Sequence, residues 1–191
     1  IYYEDEIGCL KLPKPNLIGK FQVQNIATAI AAVRSLNLKI EDRHIKNGIT
    51  KIKSIARLQE IKNGKIKDLC KNNKIFVDGS HNPLGAKVLA KHLSQLNCKK
   101  HMILGMMKNK DHKKYASLFK GKLESLTTID IPNQKNSINN EDLKNKISSF
   151  GYNLKSKKSV EEAIASIKLE QDDIIIITGS LYLAGEVLNL N

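Results

Sequence analysis

The stretch Asp78-Gly79-Ser80-His81-Asn82-Pro83 gathers a carboxylate, a hydroxyl, an imidazole and a carboxamide next to one another. It follows Ile75-Phe76-Val77, a short apolar run that reads as a buried strand. Asp78 stands at the carboxyl end of that strand, Gly79 and Ser80 turn the chain, and Pro83 opens a helix, where a missing N–H is no loss. Open α/β sheets bind ligands at the carboxyl ends of their strands, and free helix N–H groups there favour anions. On that ground Asp78, Ser80, His81 and Asn82 occupy the place where a nucleotide or an acyl substrate would lie. An ordinary strand-to-helix turn, with Ser80 or Asn82 as the cap, accounts for the same residues. From this stretch alone both readings stay open.

The elements around it argue for a layered α/β body. From Ile75 onward strands and helices alternate. Strand 75–78 leads to helix 83–96, with Leu84, Val88, Leu89, Leu93 and Leu96 expected to face inward. Strand 101–105 leads to helix 111–120, and strand 126–131 is followed by helix 140–149, with Gly151 as its stop. A short strand is expected near 153–155. Ser159 and Glu162 form a capping box for helix 160–169. Ile174-Ile175-Ile176-Ile177-Thr178 is apolar on both faces, which places it in the middle of a parallel sheet, and a last helix covers 182–188. The fold class is therefore a Rossmann-like, mostly parallel sheet with helices on both faces. Upstream, Arg57 to Ile61 begins a strand, and Asn63-Gly64 predicts a hairpin returning along Lys65 to Leu69. Residues 1–20 read as short strands and turns. A helix to about Leu36 puts Val23, Ile26, Ala27, Ile30 and Val33 on one face, with Asn37 as its stop, and a shorter helix covers Glu41 to Ile49. This opening part has too few strands to close a core of its own and reads as the tail of a domain whose body lies elsewhere.

Composition narrows the classes. With 41% hydrophobic and 5% aromatic residues in 191, and no Trp, the core must be mainly Ile, Leu, Val and Ala. No run approaches the roughly 18 apolar residues of a membrane span. The three widely spaced cysteines suit a reducing cytoplasm better than a disulfide frame or a zinc site. The net charge of +13 invites a nucleic-acid reading, but the cations are nearly all lysine and are spread along the chain. No partner nucleic acid is expected on that account. His44, His92, His101 and His112 show no metal-ligand spacing with Cys or acids. The N-terminus has neither an initiator Met nor a signal pattern, and the chain is expected to be part of something longer.

Four stretches in order carry a resemblance. They are Gly19-Lys20-Phe21-Gln22-Val23-Gln24-Asn25-Ile26-Ala27-Thr28-Ala29, Ala56-Arg57-Leu58-Gln59, Val77-Asp78-Gly79-Ser80-His81-Asn82-Pro83, and Thr178-Gly179-Ser180-Leu181-Tyr182-Leu183-Ala184-Gly185-Glu186-Val187. Together they resemble the C-terminal part of the folylpolyglutamate synthase/dihydrofolate synthase family, whose wider relatives are the Mur ligases. Gly105-Met106-Met107 with Lys110-Asp111 is similar to that family too. The resemblance covers essentially the whole chain. It implies a monomeric, cytoplasmic amide ligase. ATP phosphorylates a carboxylate of dihydropteroate or a folate, the amino group of glutamate attacks the acyl phosphate, and phosphate leaves. The expected cofactors are ATP and Mg2+, the metal held by upstream residues. No G-x-x-x-x-G-K-[ST] is present here. Residues 1–53 are thus expected to be the end of a truncated central ATPase domain, and 54–191 the whole C-terminal domain, inactive without the rest.

The same resemblance assigns residues. Arg57, one of only three arginines, matches the phosphate-contacting arginine at the domain junction, and its planar fork suits phosphate oxygens. Asp78 matches the acid near the ribose, and His81 the nucleotide-contacting histidine. Arg57 and His81 are the expected catalytic residues. Gln22 and Asn25, three apart on one side of a helix turn, match positions lining the nucleotide pocket, whereas Phe21 stands where relatives often have histidine. Ser80, Ser180 and Tyr182 are expected on the glutamate or folate side of the cleft. Turn acid, helix cap and tight turn remain the plain alternatives for Asp78, Asn25 and Ser180. Another Mur-type ligase of cell-wall synthesis, or a non-catalytic nucleic-acid-binding module, are the rival functions.

Overall fold

The computed structural model describes residues 1–17, 19, 21–36 and 38–190. They divide into two compact units, Ile1–Ile55 and Ala56–Asn191.

In the first unit, β1 (Tyr2–Asp5) and β2 (Gly8–Lys11) form an antiparallel hairpin. Helices α1 (Phe21–Ser35) and α2 (Asp42–Thr50) follow. Leu10, Leu12, Ile26, Ile30 and Ile49 make its small core. The buried face of α1 runs through Gln22, Ile26 and Ile30, while Val23, expected inside, is exposed. Gln22 tolerates burial because its carboxamide oxygen accepts from Asn25 Nδ2 at 2.9 Å. Asn37, read above as the stop of α1, lies outside the described residues.

The second unit contains β3 (Gln59–Ile61), α3 (Lys65–Leu69), β4 (Lys74–Asp78), α4 (Pro83–Leu93), β5 (Lys100–Leu104) and α5 (His112–Ser117). It continues with β6 (Ser125–Ile129), α6 (Asn140–Ile147), β7 (Leu154–Lys157), α7 (Val160–Ala165), β8 (Ile174–Thr178) and α8 (Leu181–Asn189). The sheet order is β3-β4-β8-β5-β6-β7, and β3 alone runs antiparallel to its neighbour. Strand β8, apolar from Ile174 to Ile177, lies between β4 and β5, as its composition requires. Its Ile175 and Ile177 enter the core on one face with α3, α7 and α8. Its Ile174 and Ile176 enter the core on the other face with α4, α5 and α6. Each fully buried isoleucine contributes about 2 kcal/mol by transfer from water. The sheet with helices on both faces is thereby confirmed.

Two sequence expectations are overturned. Lys65–Leu69 is a helix and no returning strand. Gly64 does adopt a positive φ of 85°, but it precedes the helix instead of turning a hairpin. Ile66 and Cys70, four apart, both insert into the core, and that helical spacing outweighs the Asn-Gly signal. The antiparallel partner of β3 is β4, registered Gln59 to Val77 and Ile61 to Ile75. On α4, Leu84 faces solvent, and Ala86, Leu89, Ala90 and Leu93 form the buried face.

Local caps follow the sequence. Asn82 Oδ1 accepts from Gly85 N at 2.8 Å, and Asp111 Oδ1 accepts from Lys114 N at 3.0 Å. Ser159 Oγ accepts from Glu162 N at 3.2 Å, whereas the Glu162 carboxylate accepts from Lys158 N, one residue before the expected partner.

At the amino edge of the sheet His101 is buried between Ser125 Oγ, 2.7 Å from Nδ1, and Asp173 Oδ2, 3.2 Å from Nε2. These are the residue types of a hydrolytic triad, but all are buried, and Asp173 Oδ2 also accepts from Glu170 N. The set satisfies buried polar groups and ties the starts of β5, β6 and β8 together.

Thr127 Oγ1, fully buried in β6, has no hydrogen-bond partner among the described residues. Replacing that hydroxyl with an isosteric methyl removes an unsatisfied polar group. Thr127→Val is therefore expected to raise unfolding stability by about 1 kcal/mol in a urea titration. A lowered midpoint would mean that the hydroxyl has a partner.

Candidate functional site at the carboxyl edge of the sheet

The carboxyl ends of β4, β8 and β5 are tied by their own backbones. Gly179 N donates to Ser80 O at 3.1 Å, and Gly105 N donates to Thr178 O at 3.1 Å. The approach requires glycine at 179. Its φ is +107°, and a Cβ there would lie 2.5 Å from Gly105 O.

Beneath the turns three hydroxyls form a closed triangle. Ser80 Oγ lies 2.9 Å from Tyr115 Oη and 3.2 Å from Thr178 Oγ1, and Tyr115 Oη lies 3.0 Å from Thr178 Oγ1. Tyr115 Oη is also 3.2 Å from the Ser80 carbonyl. Burial pushes the Tyr115 phenol well above its ordinary pKa, so it stays a neutral hydrogen-bonding group. The expected substrate-side residue Ser80 therefore has its hydroxyl committed to this buried network.

Asp78 ends β4 and is only 5% exposed. Its Oδ1 accepts from Ser80 N and its Oδ2 from Leu58 N, both at 2.9 Å. Both oxygens are thus engaged by main-chain amides, and each keeps one lone pair. The second of those bonds ties the turn to the segment Ala56-Arg57-Leu58. Gly79 N donates to Ala56 O at 2.7 Å, which adds a further tie. Arg57 itself is exposed and, among the described residues, its side chain makes no ion pair or hydrogen bond. The guanidinium, carried by a segment whose backbone is bonded on either side, is available to an anion.

His81 is half-buried, with Nδ1 3.0 Å from Gly79 O. A carbonyl only accepts, so Nδ1 carries a proton, and Nε2 is left without a partner among the described residues. His81 lines a cleft of about 540 Å³ together with Lys108, Lys110, Asn136, Ser180 and Tyr182. One wall is the loop after β5, where Lys108 N donates to Asn136 O at 2.8 Å. Ser180 is buried and caps α8, its Oγ accepting from Tyr182 N at 3.1 Å, and Tyr182 is exposed.

The structure thus brings Asp78, Ser80, His81, Ser180 and Tyr182 to one sheet edge, with Arg57 joined to it through the backbone. Gln22 and Asn25 belong to the first unit, where they bond each other. Sequence reasoning missed Tyr115 and Thr178 as supports of the site, and Lys108 and Asn136 as its wall. Tyr115 had no signal, since it stands 35 residues from Ser80. A larger cleft, about 880 Å³, lies at the amino edge beside Lys74, Asn97, Cys98 and Glu170. Ligands of open α/β sheets occupy the other edge. Among the described residues no group of His, Cys, Asp and Glu has the arrangement of a metal site.

Comparison with known proteins bears on the family and the fold. Residues 57–181 match the glutamate ligase domain of the Mur ligases. The chain is 28% identical over 195 residues to folylpolyglutamate synthase of Lacticaseibacillus casei, which covers 97% of the chain and 42% of that protein. It is 26% identical over 200 residues to dihydrofolate synthase/folylpolyglutamate synthase of Bacillus subtilis strain 168, with the same coverage. Mycobacterium tuberculosis folylpolyglutamate synthase complexed with ADP and AMPPCP superimposes with a TM-score of 0.81 at 21% identity, covering 96% of the chain and 42% of that structure. Escherichia coli FolC in complex with ADP gives 0.79 at 23% identity, covering 98% and 43%. The chain spans less than half the length of these relatives, and the structural likeness shows a shared fold.

Tyr115→Phe removes one corner of the hydroxyl triangle and leaves Ser80 and Thr178 bonded to each other. The expected cost is about 1 kcal/mol of unfolding free energy, read by urea titration. No cost would show that the triangle does not hold the turns.

Proposed function

The chain belongs to the Mur ligase family, through that family's glutamate ligase domain, and we propose that it supplies the lid half of an ATP-dependent ligase that adds L-glutamate to dihydropteroate or a folate. In this reading residues 1–53 are the end of a central ATP-binding domain and 54–191 the C-terminal domain. The observation that carries it is the exposed Arg57, unpartnered among the described residues and anchored through Ala56 and Leu58 to the turn that bears His81 and the cleft.

The reaction has two steps. A substrate carboxylate oxygen attacks the γ-phosphorus of ATP, forming an acyl phosphate and releasing ADP. The amino group of glutamate then attacks the acyl carbon, forming the amide as inorganic phosphate leaves and a proton is lost from nitrogen. Negative charge moves across the phosphoryl oxygens in the first step. The Arg57 guanidinium, a planar fork of donors, stabilises that charge. Asp78 holds the ribose through its remaining lone pairs, and His81 Nε2 accepts from a nucleotide hydroxyl. In the first unit Gln22 and Asn25 are read as nucleotide-contacting amides and Phe21 offers only stacking, and in the second Ser180 and Tyr182 face the glutamate or folate side. Ser80 contributes from beneath, through the hydroxyl triangle. Magnesium, when bound, neutralises phosphate charge. The described residues include no donor set for it, so no step of this chain is assigned to it.

The test is ATP-dependent incorporation of labelled glutamate into dihydropteroate and tetrahydrofolate by the full-length gene product carrying this chain. Arg57→Ala is expected to lower kcat about 10²- to 10³-fold. Unchanged turnover would remove Arg57 from the reaction. Ligation to a cell-wall precursor instead of both pterin substrates would replace the folate reading with another Mur-type one.

A further inference from the structure

Arg57 sits between two residues with left-handed backbones, Ala56 at φ 56° and Leu58 at φ 48°. Neither is glycine, asparagine or aspartate, the residues that visit this region cheaply. Such conformations cost of order 1 kcal/mol each and persist only where the surroundings over-determine them. Here they are over-determined. The Ala56 side chain enters the core on one face of the sheet and Leu58 the core on the other. Main-chain groups on both sides of Arg57 are bonded, Ala56 O to Gly79 N and Leu58 N to Asp78 Oδ2. A third main-chain group, Ala56 N, donates to Gln59 Oε1 at 3.0 Å. The left-handed pair leaves only the Arg57 side chain projecting into solvent.

We propose that Gln59 is a positioning residue for Arg57: its side-chain oxygen, by holding Ala56 N, completes the clamp that fixes the direction in which the guanidinium is presented. The inference rests on the phosphate role proposed for Arg57. Gln59 ends the Ala56-Arg57-Leu58-Gln59 motif and has no other part in the site described above. Its backbone already belongs to β3, opposite Val77, so the strand survives a change of side chain. The carboxamide oxygen is a local addition whose one bond goes three residues back, across Arg57 and Leu58, to the start of the left-handed segment.

The experiment compares Gln59→Met, which keeps length but loses the oxygen, with Gln59→Glu, which keeps an acceptor, each with Arg57 intact and in Arg57→Ala. Glutamate ligation by the full-length gene product is the first readout. With Arg57 present, Gln59→Met is expected to lower kcat about 10-fold or more while KM for glutamate stays within about twofold, since a misplaced catalytic group costs turnover. Gln59→Glu is expected to restore most of the rate. In Arg57→Ala, Gln59→Met is expected to cost nothing further, because the group it aims is gone. Equal losses in both backgrounds would make Gln59 merely structural and overturn the proposal, as would no loss with Arg57 present. The second readout needs no activity: the 15N relaxation of the Arg57 backbone amide in the purified chain. Gln59→Met should make that amide more mobile and Gln59→Glu should not, and the same mobility in all three would overturn the clamp. If the wild-type protein ligates no glutamate, the function proposed above fails, and this second readout alone decides whether the clamp exists.

Discussion

The carboxylate of Asp78 is the joint on which the site depends. It is buried at the end of a central strand, where an unsatisfied charge would cost several kcal/mol. Two main-chain amides, Ser80 N and Leu58 N, meet its two oxygens. Hydrogen bonds to an ionised acceptor are short and strong, and those to backbone donors cost little side-chain entropy to organise. One bond shapes the turn leading to His81 and α4. The other reaches back 20 residues to the segment before β3. A single side chain thereby couples two pieces of chain that meet nowhere in sequence, and each carries one of the residues with chemistry to do.

Around that joint, rigidity and freedom are divided by depth. The lower layer is saturated: the Ser80, Tyr115 and Thr178 hydroxyls satisfy one another, and the strand ends exchange backbone bonds through Gly179 and Gly105. The upper layer is left with unspent capacity. Among the described residues Arg57 has no internal partner and His81 uses only Nδ1, and Tyr182 is exposed. A site that binds a charged nucleotide gains from this division. Fixed supports avoid reorganisation when the ligand arrives, and unpaired groups above them need not break internal bonds first.

How much of this was legible depended on sequence distance. The all-isoleucine strand announced a central position because a strand buried on both faces has no polar alternation. The caps at Asn82 and Ser159 were legible because each bond spans three residues. Asn63-Gly64 misled, since a positive φ at glycine serves a helix start as well as a hairpin, and only the burial of Ile66 and Cys70 decides between them. Val23 and Leu84 were placed inside by hydrophobicity, but the helix faces are set by neighbouring periodic residues, and a satisfied Gln22 displaced Val23. The hydroxyl triangle joins residues up to 98 apart, and the His101 network spans as many as 72. No local pattern encodes either. Asp78 was found by its place at the strand end, but its partner Leu58 was invisible, because a backbone amide has no residue type.

The rarity of arginine gives the backbone argument its last step. The chain holds 32 lysines and arginines, of which only Arg34, Arg43 and Arg57 are arginine. Arg34 pairs with Asp5 and lies over the Tyr3 ring, and Arg43 pairs with Glu41. Both engage the guanidinium with a carboxylate of this chain. Arg57 alone among the three holds its fork out from a backbone fixed on either side. A lysine ammonium in the same place would be a point charge on a flexible stem, and the rigidity of the segment below it would be wasted on a group that does not need direction. Strained left-handed residues on both sides of an exposed lysine would cost stability for no gain in aim. Beside an arginine, whose donors act only along the plane of the fork, the same strain becomes useful. The backbone geometry and the residue type therefore agree: a group with directional donors stands on a segment whose backbone is held on either side.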